Sequence, residues 1–523
     1  MPDYNDPIQQ AQHEILDLHA KEDQYVQQYL IPLYLNKTQE LIEINKIKEL
    51  MEDVLNCCWY NLPPLEQIQL SVAKQLVQIV INCENWHIRL GYKNEWLPAM
   101  NYAYHICQEY DLTDKIGTVE TLIAQYHWSN YQIEEALQWT QQAIKSTRAS
   151  REILSLVKAT DQAVEIFLYL HRPQDAVDLI DEISTIVDES MVRANFLLNI
   201  QRIRLLRRLG QVTDAIHLIE FWDDHAVDSL TQISIQEKIS WYHISGLTLC
   251  WGASEYQKAI SKFQNTKALL LKAKDYVESL HITCDIGIAY WAMGDLLKAW
   301  DSLYEVYEQT QKYNLSSLRM VTAGNMGLVK IAERDFETAL SLILEHRELL
   351  NYYPQAGEVI RASGNLGIVH MHRGEFAEAI YCLEQAIAQT GINNTASVSA
   401  YIALSRCYNK QNNRAKAQEL AQKALNFARK IDTPSEIIKA LRILGECSSA
   451  EVAVPLFREA LELAKGRKYM DEAACYLWLA HFTDSDEEQT TLWNTGRRIL
   501  ERIGADAWLD GHAPQNPPFM PPP

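Results

Sequence analysis

Proline and glycine are sparse in this chain of 523 residues, 16 and 19 in number, and most of the prolines lie near its two ends. A long middle stretch with so few helix breakers reads as helical. The ten cysteines form no Cys-x-x-Cys pair, and adjacent Cys57 and Cys58 are poorly placed to share one metal. Cys284, Cys382, Cys407 and Cys447 stand in apolar helical surroundings, so the thiols read as free and buried in a reducing compartment. The opening MPDYNDPIQQAQHEI is polar and acidic, unlike a secretory leader. No window approaches the roughly 18–20 apolar residues of a membrane span. A cytoplasmic protein with no membrane partner is expected.

Positive charge is also short. Lys plus Arg number 48 against 68 Asp plus Glu, a formal charge of −20. That balance repels phosphate, and no direct nucleic-acid binding is expected. Arg202, Arg204, Arg207 and Arg208 form a local basic run. It reads as a solvated helix face at a repeat boundary, with an acidic or phosphate-bearing partner as the alternative. Catalytic signatures are missing too: no His-Glu-x-x-His, Gly-x-Ser-x-Gly or Gly-rich dinucleotide loop occurs. His370 and His372 are two apart on a helix and face different directions. Asp223, Asp224 and His225 gather locally without further ligands and read as a loop or helix cap. No catalytic residue, metal or cofactor is assigned, and the expectation is not an enzyme. A site assembled from distant repeats is the minor alternative.

What the chain has is apolar surface and repetition. Hydrophobic residues make up 47%, and 13 Trp and 26 Tyr argue for burial and against disorder. The segment GNLGIVHMHRGEFAEAIYCLEQAI, from Gly364, reads as two amphipathic helices around a turn at Arg373-Gly374. The frame recurs in GNMGLVKIAERDFETALSLIL and CDIGIAYWAMGDLLKAWDSLY, and earlier around Gly246. Ala259, Ala299, Ala339 and Ala379 of the second helices are spaced by 40 residues each time. Outward, the frame continues through Ala215, Ala176, Ala136 and Ala99 on one side, and Ala417 and Ala453 on the other. Ten units follow between roughly residues 75 and 465, at spacings of 36 to 44. Small residues at the crossing let two helix backbones approach, and stacking buries a stripe that one pair cannot bury alone.

The set Leu366-Gly367, His370, Gly374, Ala379, Leu383 and Ala386 resembles the tetratricopeptide repeat signature, with Tyr290 and Tyr408 in the aromatic place that His370 fills. The period is longer than the ~34 residues usual for that family. The segment CENWHIRLGYKNEWLPAMNYAYHICQEY is similar to the opening of helical arms attached to bacterial signal-transduction ATPases and transcriptional activators. The resemblance spans about residues 65–509 and implies an all-α, right-handed α-solenoid. Gly-x-x-x-x-Gly-Lys-Ser/Thr is absent, so the phosphate-cradling element of those ATPases is not in this chain.

Four divisions are expected. Residues 1–64 form a helical cap or docking segment, with Pro32 marking a helix break and Pro63-Pro64 a boundary. Residues 65–470 form the repeat array. Residues 471–509 form a capping helix pair, with caps at Asp484 to Asp486 and a stop at Gly504. Residues 510–523 form a flexible Pro-rich tail, with binding to an aromatic-lined groove as the alternative.

In tetratricopeptide proteins the first helices line the inner surface. That rule brings Asp285, Asn325 and Asn365 to equivalent inward places, where an asparagine amide can hold a peptide backbone. Arg361 and Arg406 stand nearby to pair with carboxylates, and His243, His281 and Met371 also face inward. Two readings of the asparagines stay open: partner contact, and simple satisfaction of inter-helix polar groups. Trp251 and Trp291 read as packing residues beside the same surface. The expected function is a scaffold or sensor, in signalling, that holds a protein or peptide on its inner face. The alternative is a regulatory subunit controlling a separate enzyme, signalling ATPase or protease.

Overall fold

The computed structural model describes residues 26–37, 51–55, 68–84, 94–170, 172–188, 190–225, 227–352, 356–390, 395–431 and 433–520. Pro63-Pro64, Cys57, Cys58, the start of the first N-terminal helical stretch, most of Thr38 to Leu55 and the final three prolines lie outside the described residues. Pro32 falls at the second position of a helix, directly after a wider helical turn at Val26–Leu30.

The described residues contain helices and no β-strand. Early in the chain come α1 (Ile31–Lys37), α2 (Leu70–Asn82), α3 (Leu97–Glu109), α4 (Thr113–Ser129), α5 (Ile133–Ser150), α6 (Ile153–Tyr169) and α7 (Pro173–Ser184). Then follow α8 (Val192–Arg208), α9 (Val212–Asp224), α10 (Ile235–Leu247), α11 (Tyr256–Lys272), α12 (Tyr276–Met293), α13 (Leu296–Lys312), α14 (Ser316–Ala332) and α15 (Phe336–Leu350). The last are α16 (Ala356–Arg373), α17 (Phe376–Thr390), α18 (Thr395–Lys410), α19 (Arg414–Ile431), α20 (Pro434–Glu446), α21 (Ala450–Ala464), α22 (Tyr469–Phe482) and α23 (Asp486–Ile503). The paired-helix architecture is of the right-handed α-solenoid class expected from the repeat.

The chain divides into two compact units. Unit 1 comprises Met1–Leu205, Asp223–Glu237 and Leu270–Tyr276; unit 2 comprises Leu206–Trp222, Lys238–Leu269 and Val277–Pro523. In unit 1, α4 packs on α5 and α6, and α6 on α7. Trp96, Met100, Leu76 and Ile123 are buried in its core. Two arginines of the basic run are engaged rather than simply solvated. Arg204 pairs with Asp161 at 2.6 Å and Glu165 at 3.0 Å, and Arg202 donates to the Ser184 hydroxyl at 2.8 Å.

Unit 2 is built from the well-phased repeats. Each first helix packs on its own second helix, and α14, α16, α18, α20 and α22 pack in succession on one another, forming a layer of first helices. Close approach at the crossings sets this arrangement. A Cβ added at Gly287 would stand 2.7 Å from Leu303, at Gly327 2.7 Å from Ile343, and at Gly367 2.6 Å from Leu383. Ala299, Ala339 and Ala379, one turn earlier on the second helices, are fully buried. Each turn between these helices repeats one hydrogen-bond pattern. The amides of Asp295, Asp335, Glu375 and Asn413 donate to the carbonyls of Tyr290, Lys330, His370 and Tyr408. That closure needs a residue with positive φ just before the donor, supplied by Gly294, Arg334, Gly374 and Asn412. Asp295 and Asp335 then cap the next helix through Lys298 and Thr338 amides.

The last helix pair returns to the start of this phased stretch. The Lys468 ammonium donates to the Ala292 carbonyl at 3.2 Å, and a Cβ at Gly294 would stand 2.9 Å from the Met470 amide. One core cluster therefore contains Leu296, Leu303 and Met326 together with Met470, Leu477 and Leu500. A buried ionic layer fastens the return. Arg442 lies 2.9 Å from Asp471, and Lys468 lies 3.5 Å from the other oxygen of the same carboxylate, with all three side chains fully buried. These are charge contacts without the alignment of hydrogen bonds.

The Pro-rich stretch departs from the projecting tail expected of it. Pro517, Pro518 and Met520 are buried, and the Arg442 guanidinium donates to the Met520 carbonyl at 2.6 Å. Proline blocks helix and sheet, but its ring is apolar and its backbone already extended, so such a segment packs well against aromatic side chains.

Two substitutions test the packing. Ala379→Leu should overpack the crossing beside Gly367 and cost about 1–3 kcal/mol, seen as a lower thermal midpoint; an unchanged midpoint contradicts the frame. Asp471→Asn strips the charge from beside two buried cations and should cost about 3–5 kcal/mol in denaturant titration. A loss within error of zero would mean that the ionic layer does not fasten the return.

Candidate functional site

Unit 2 holds a half-open cavity of about 570 Å³, lined mainly by its first helices. This size lies within the ~300–1,000 Å³ of ligand pockets, and the lining is mostly apolar, with Ile288, Leu328, Ile360 and Ile368 among its walls. Asp285 comes from α12, Asn325 from α14, Arg361, Asn365 and Met371 from α16, and Arg406 from α18. Six of the eight residues singled out in the sequence thus share one chamber. His243 is not part of the lining, but its Nε2 lies 3.1 Å from the Asp285 carboxylate. His281 is exposed on α12 and is not part of the lining. It lies one helical turn before Asp285.

The equivalent places differ in how they are satisfied. Asn325 is almost fully buried; its amide nitrogen reaches the Cys284 sulfur at 3.4 Å, while its Oδ1 has no hydrogen-bond partner. Arg406 is equally buried and donates through Nη2 to both oxygens of Glu446 at 2.9 Å, leaving Nε and Nη1 unpartnered. Arg361 holds Glu358 at 2.7 Å, and its Nε is also unpartnered. Burial alone would raise the Glu358 carboxyl, but bonds from His346 and Arg361 carry it below its ordinary value. Buried polar atoms without partners are uncommon and costly, and several converge on this chamber. Gly364 adds an unfilled position: a Cβ there would meet nothing within 4 Å, so packing does not demand the glycine.

The chamber wall includes residues that sequence reasoning did not single out. Tyr256, Ser435, Glu436, Lys439 and Lys468 line it, as do Trp251 and Trp291, which had read as packing residues. Lys439 donates to Glu436 at 3.1 Å and Lys468 to the Ser435 hydroxyl at 3.1 Å, all in buried positions. Glu436, Lys439, Arg442 and Glu446 form a charged stripe at helical spacing on α20, yet every one is buried. A charged stripe on a helix usually marks the solvent face, so this one gave no sequence signal for a site. Burial holds the Lys468 and Arg406 cations below their ordinary pKa values. It also pushes the Cys284 thiol up to about 11, so that thiol stays protonated near neutral pH. Among the described residues, no group of three or more His, Cys, Asp and Glu is placed to hold a metal ion. Asp223 and Asp224 end α9, with His225 just beyond. No helix of the described residues is long and apolar enough to cross a membrane.

A smaller cavity of about 250 Å³ shares Met371 and Arg406 with the chamber and is also lined by His372, Lys410, Trp508 and Phe519. His372 stacks on Phe336 with ring centroids 5.1 Å apart and meets Trp508 edge-on at 5.3 Å. Burial, with Arg406, Lys410 and Arg334 nearby, pushes His372 down to about 3. A histidine in the unfolded chain titrates near ~6.5, so between these values the unfolded chain binds the extra proton. Stability should therefore be complete above about pH 6.5 and fall as pH drops toward about 3. His372→Phe, which keeps the stack, should flatten that part of the acid slope in urea midpoints; an identical slope would contradict the assignment.

Residues 358–430 match the family model of the tetratricopeptide repeat, a stretch covering most of α16 together with α17, α18 and most of α19. No curated protein matches the chain in sequence. Among solved structures, a Rap protein complexed with Competence and Sporulation Factor is 15% identical, covering 67% of this chain and 99% of its own, with a TM-score of 0.46. NprR in complex with its cognate peptide NprX is 12% identical, covering 68% and 99%, with a TM-score of 0.48. The Rap conjugation gene regulator of plasmid pLS20, in complex with the Phr* peptide, is 12% identical, covering 66% and 95%, with a TM-score of 0.47. The chain is built of tetratricopeptide-like helical repeats, and the matched ones bring Arg361, Asn365, Met371 and Arg406 to the chamber.

Proposed function

We propose that the chain is a recognition scaffold or sensor whose unit 2 holds a segment of a protein or peptide partner within its chamber. The single observation that carries this reading is the buried Asn325, with an unpartnered Oδ1, in register with Asp285 and Asn365 on successive first helices. An amide at this place accepts from a backbone N–H and donates to a backbone carbonyl, so it holds an extended chain whatever its side chains. The apolar wall between the amides takes alternate side chains of that segment, and unpartnered nitrogens of Arg361 and Arg406 supply donors for a carboxylate or carbonyl. Gly364 leaves the backbone of α16 open to close approach. Recognition spread over several helices suits a binding module more than chemistry at one centre.

The test takes partners captured from the native cell by the parent chain and measures their affinity for the Asn325→Ala/Asn365→Ala chain. Two lost hydrogen bonds, at about 0.5–1.5 kcal/mol each, should weaken binding roughly 5- to 150-fold. A folded double variant that keeps every partner at full affinity would overturn the asparagine-ladder site.

A further inference from the structure

The sequence offers two readings of the Pro-rich stretch, a flexible tail and a segment for an aromatic-lined groove, and unit 2 provides a fitted bed for residues 513–520. Phe519 sets its ring against Trp478, with centroids 5.2 Å apart at 71°, and the Lys410 ammonium stands 4.3 Å from the centre of the same ring. Trp478 is itself stacked on Phe457 and flanked by Phe482, so the aromatic floor is held by the core and does not depend on the segment. Two donors reach the backbone of the segment. His481 Nδ1 lies 3.1 Å from the Pro514 carbonyl, and the Arg442 guanidinium donates to the Met520 carbonyl at 2.6 Å. Pro517, Pro518 and Met520 are buried between these points.

This combination has a recognisable physical logic. Proline-rich segments are extended before they bind, so little conformational entropy is lost on docking. Their carbonyls are free to accept hydrogen bonds, and aromatic grooves with suitably placed donors hold them. Trp478, Phe482, His481 and Arg442 make such a groove. Its donors address carbonyls, which any chain possesses, while its aromatic floor selects the ring.

We propose that unit 2 carries a second recognition groove, for segments of the kind Pro-Pro-aromatic-apolar, and that residues 513–520 of this chain occupy it as an internal ligand. A partner bearing such a segment binds by displacing them. The groove uses none of the chamber's asparagines, and peptide binding to it is measured without any occupant of the chamber.

The test uses the full chain and a fluorescein-labelled peptide of residues 511–523, GHAPQNPPFMPPP. In the Phe519→Ala/Met520→Ala chain the internal ligand is weakened, and the labelled peptide should bind saturably, at least tenfold more tightly than to the unsubstituted chain. A peptide with alanine in place of Phe519 should lose most of that binding. Phe519→Ala alone, at a half-buried position, repeats the measurement if the double variant loses its helical circular dichroism. Absence of peptide binding to a folded variant would overturn the proposal. Equal binding of the native and alanine peptides would do the same, since it would leave the groove without selectivity.

Discussion

Unit 2 depends on how closely paired helices can cross. At Gly287, Gly327 and Gly367 a single added carbon would collide with the leucine or isoleucine of the second helix, and a buried alanine one turn away keeps the rest of the crossing thin. The shared crossing aligns successive first helices with one another. Once they are aligned, residues two positions before each glycine fall in register, which brings Asp285, Asn325 and Asn365 to one chamber. The site is a consequence of the packing rule, repeated at 40-residue intervals.

The same rule explains what could be read from the sequence. Helix pairing, the turn at Gly374 and the inward places of Asp285, Asn325, Asn365, Arg361, Met371 and Arg406 are all local or periodic properties, and periodicity survives in a single chain. What escaped depends on contacts remote in sequence. The charged stripe of α20 has the spacing of a solvent face, and only the return of α22, bringing Asp471 to Arg442, turns it inward. His281 shares the helix and the pattern of Asp285, yet it is exposed and not part of the lining. The proline-rich segment has the composition of a linker, and nothing local announces that Trp478 and Arg442 await it.

Chamber and groove meet at Arg406 and Met371, which line both the large cavity and the small one beside Phe519. Arg406 is tied to Glu446, which also lies 3.6 Å from Arg442, and Arg442 in turn contacts Asp471 and the Met520 carbonyl. A buried ionic chain of this kind is costly to form and costly to break at one link, so it holds its members in one arrangement. It gives the chamber and the groove a common wall.

A partner held in the chamber is within reach of side chains that line it. A photo-crosslinking amino acid placed at Gly364, where a side chain has free space, samples the interior; the same group at His281, exposed and not part of the lining, samples the surface beyond it. Irradiation in the native cell is expected to give a discrete protein or peptide adduct from position 364, lost when Asn325 and Asn365 are replaced by alanine. Adducts from position 281 with none from position 364 would contradict the account.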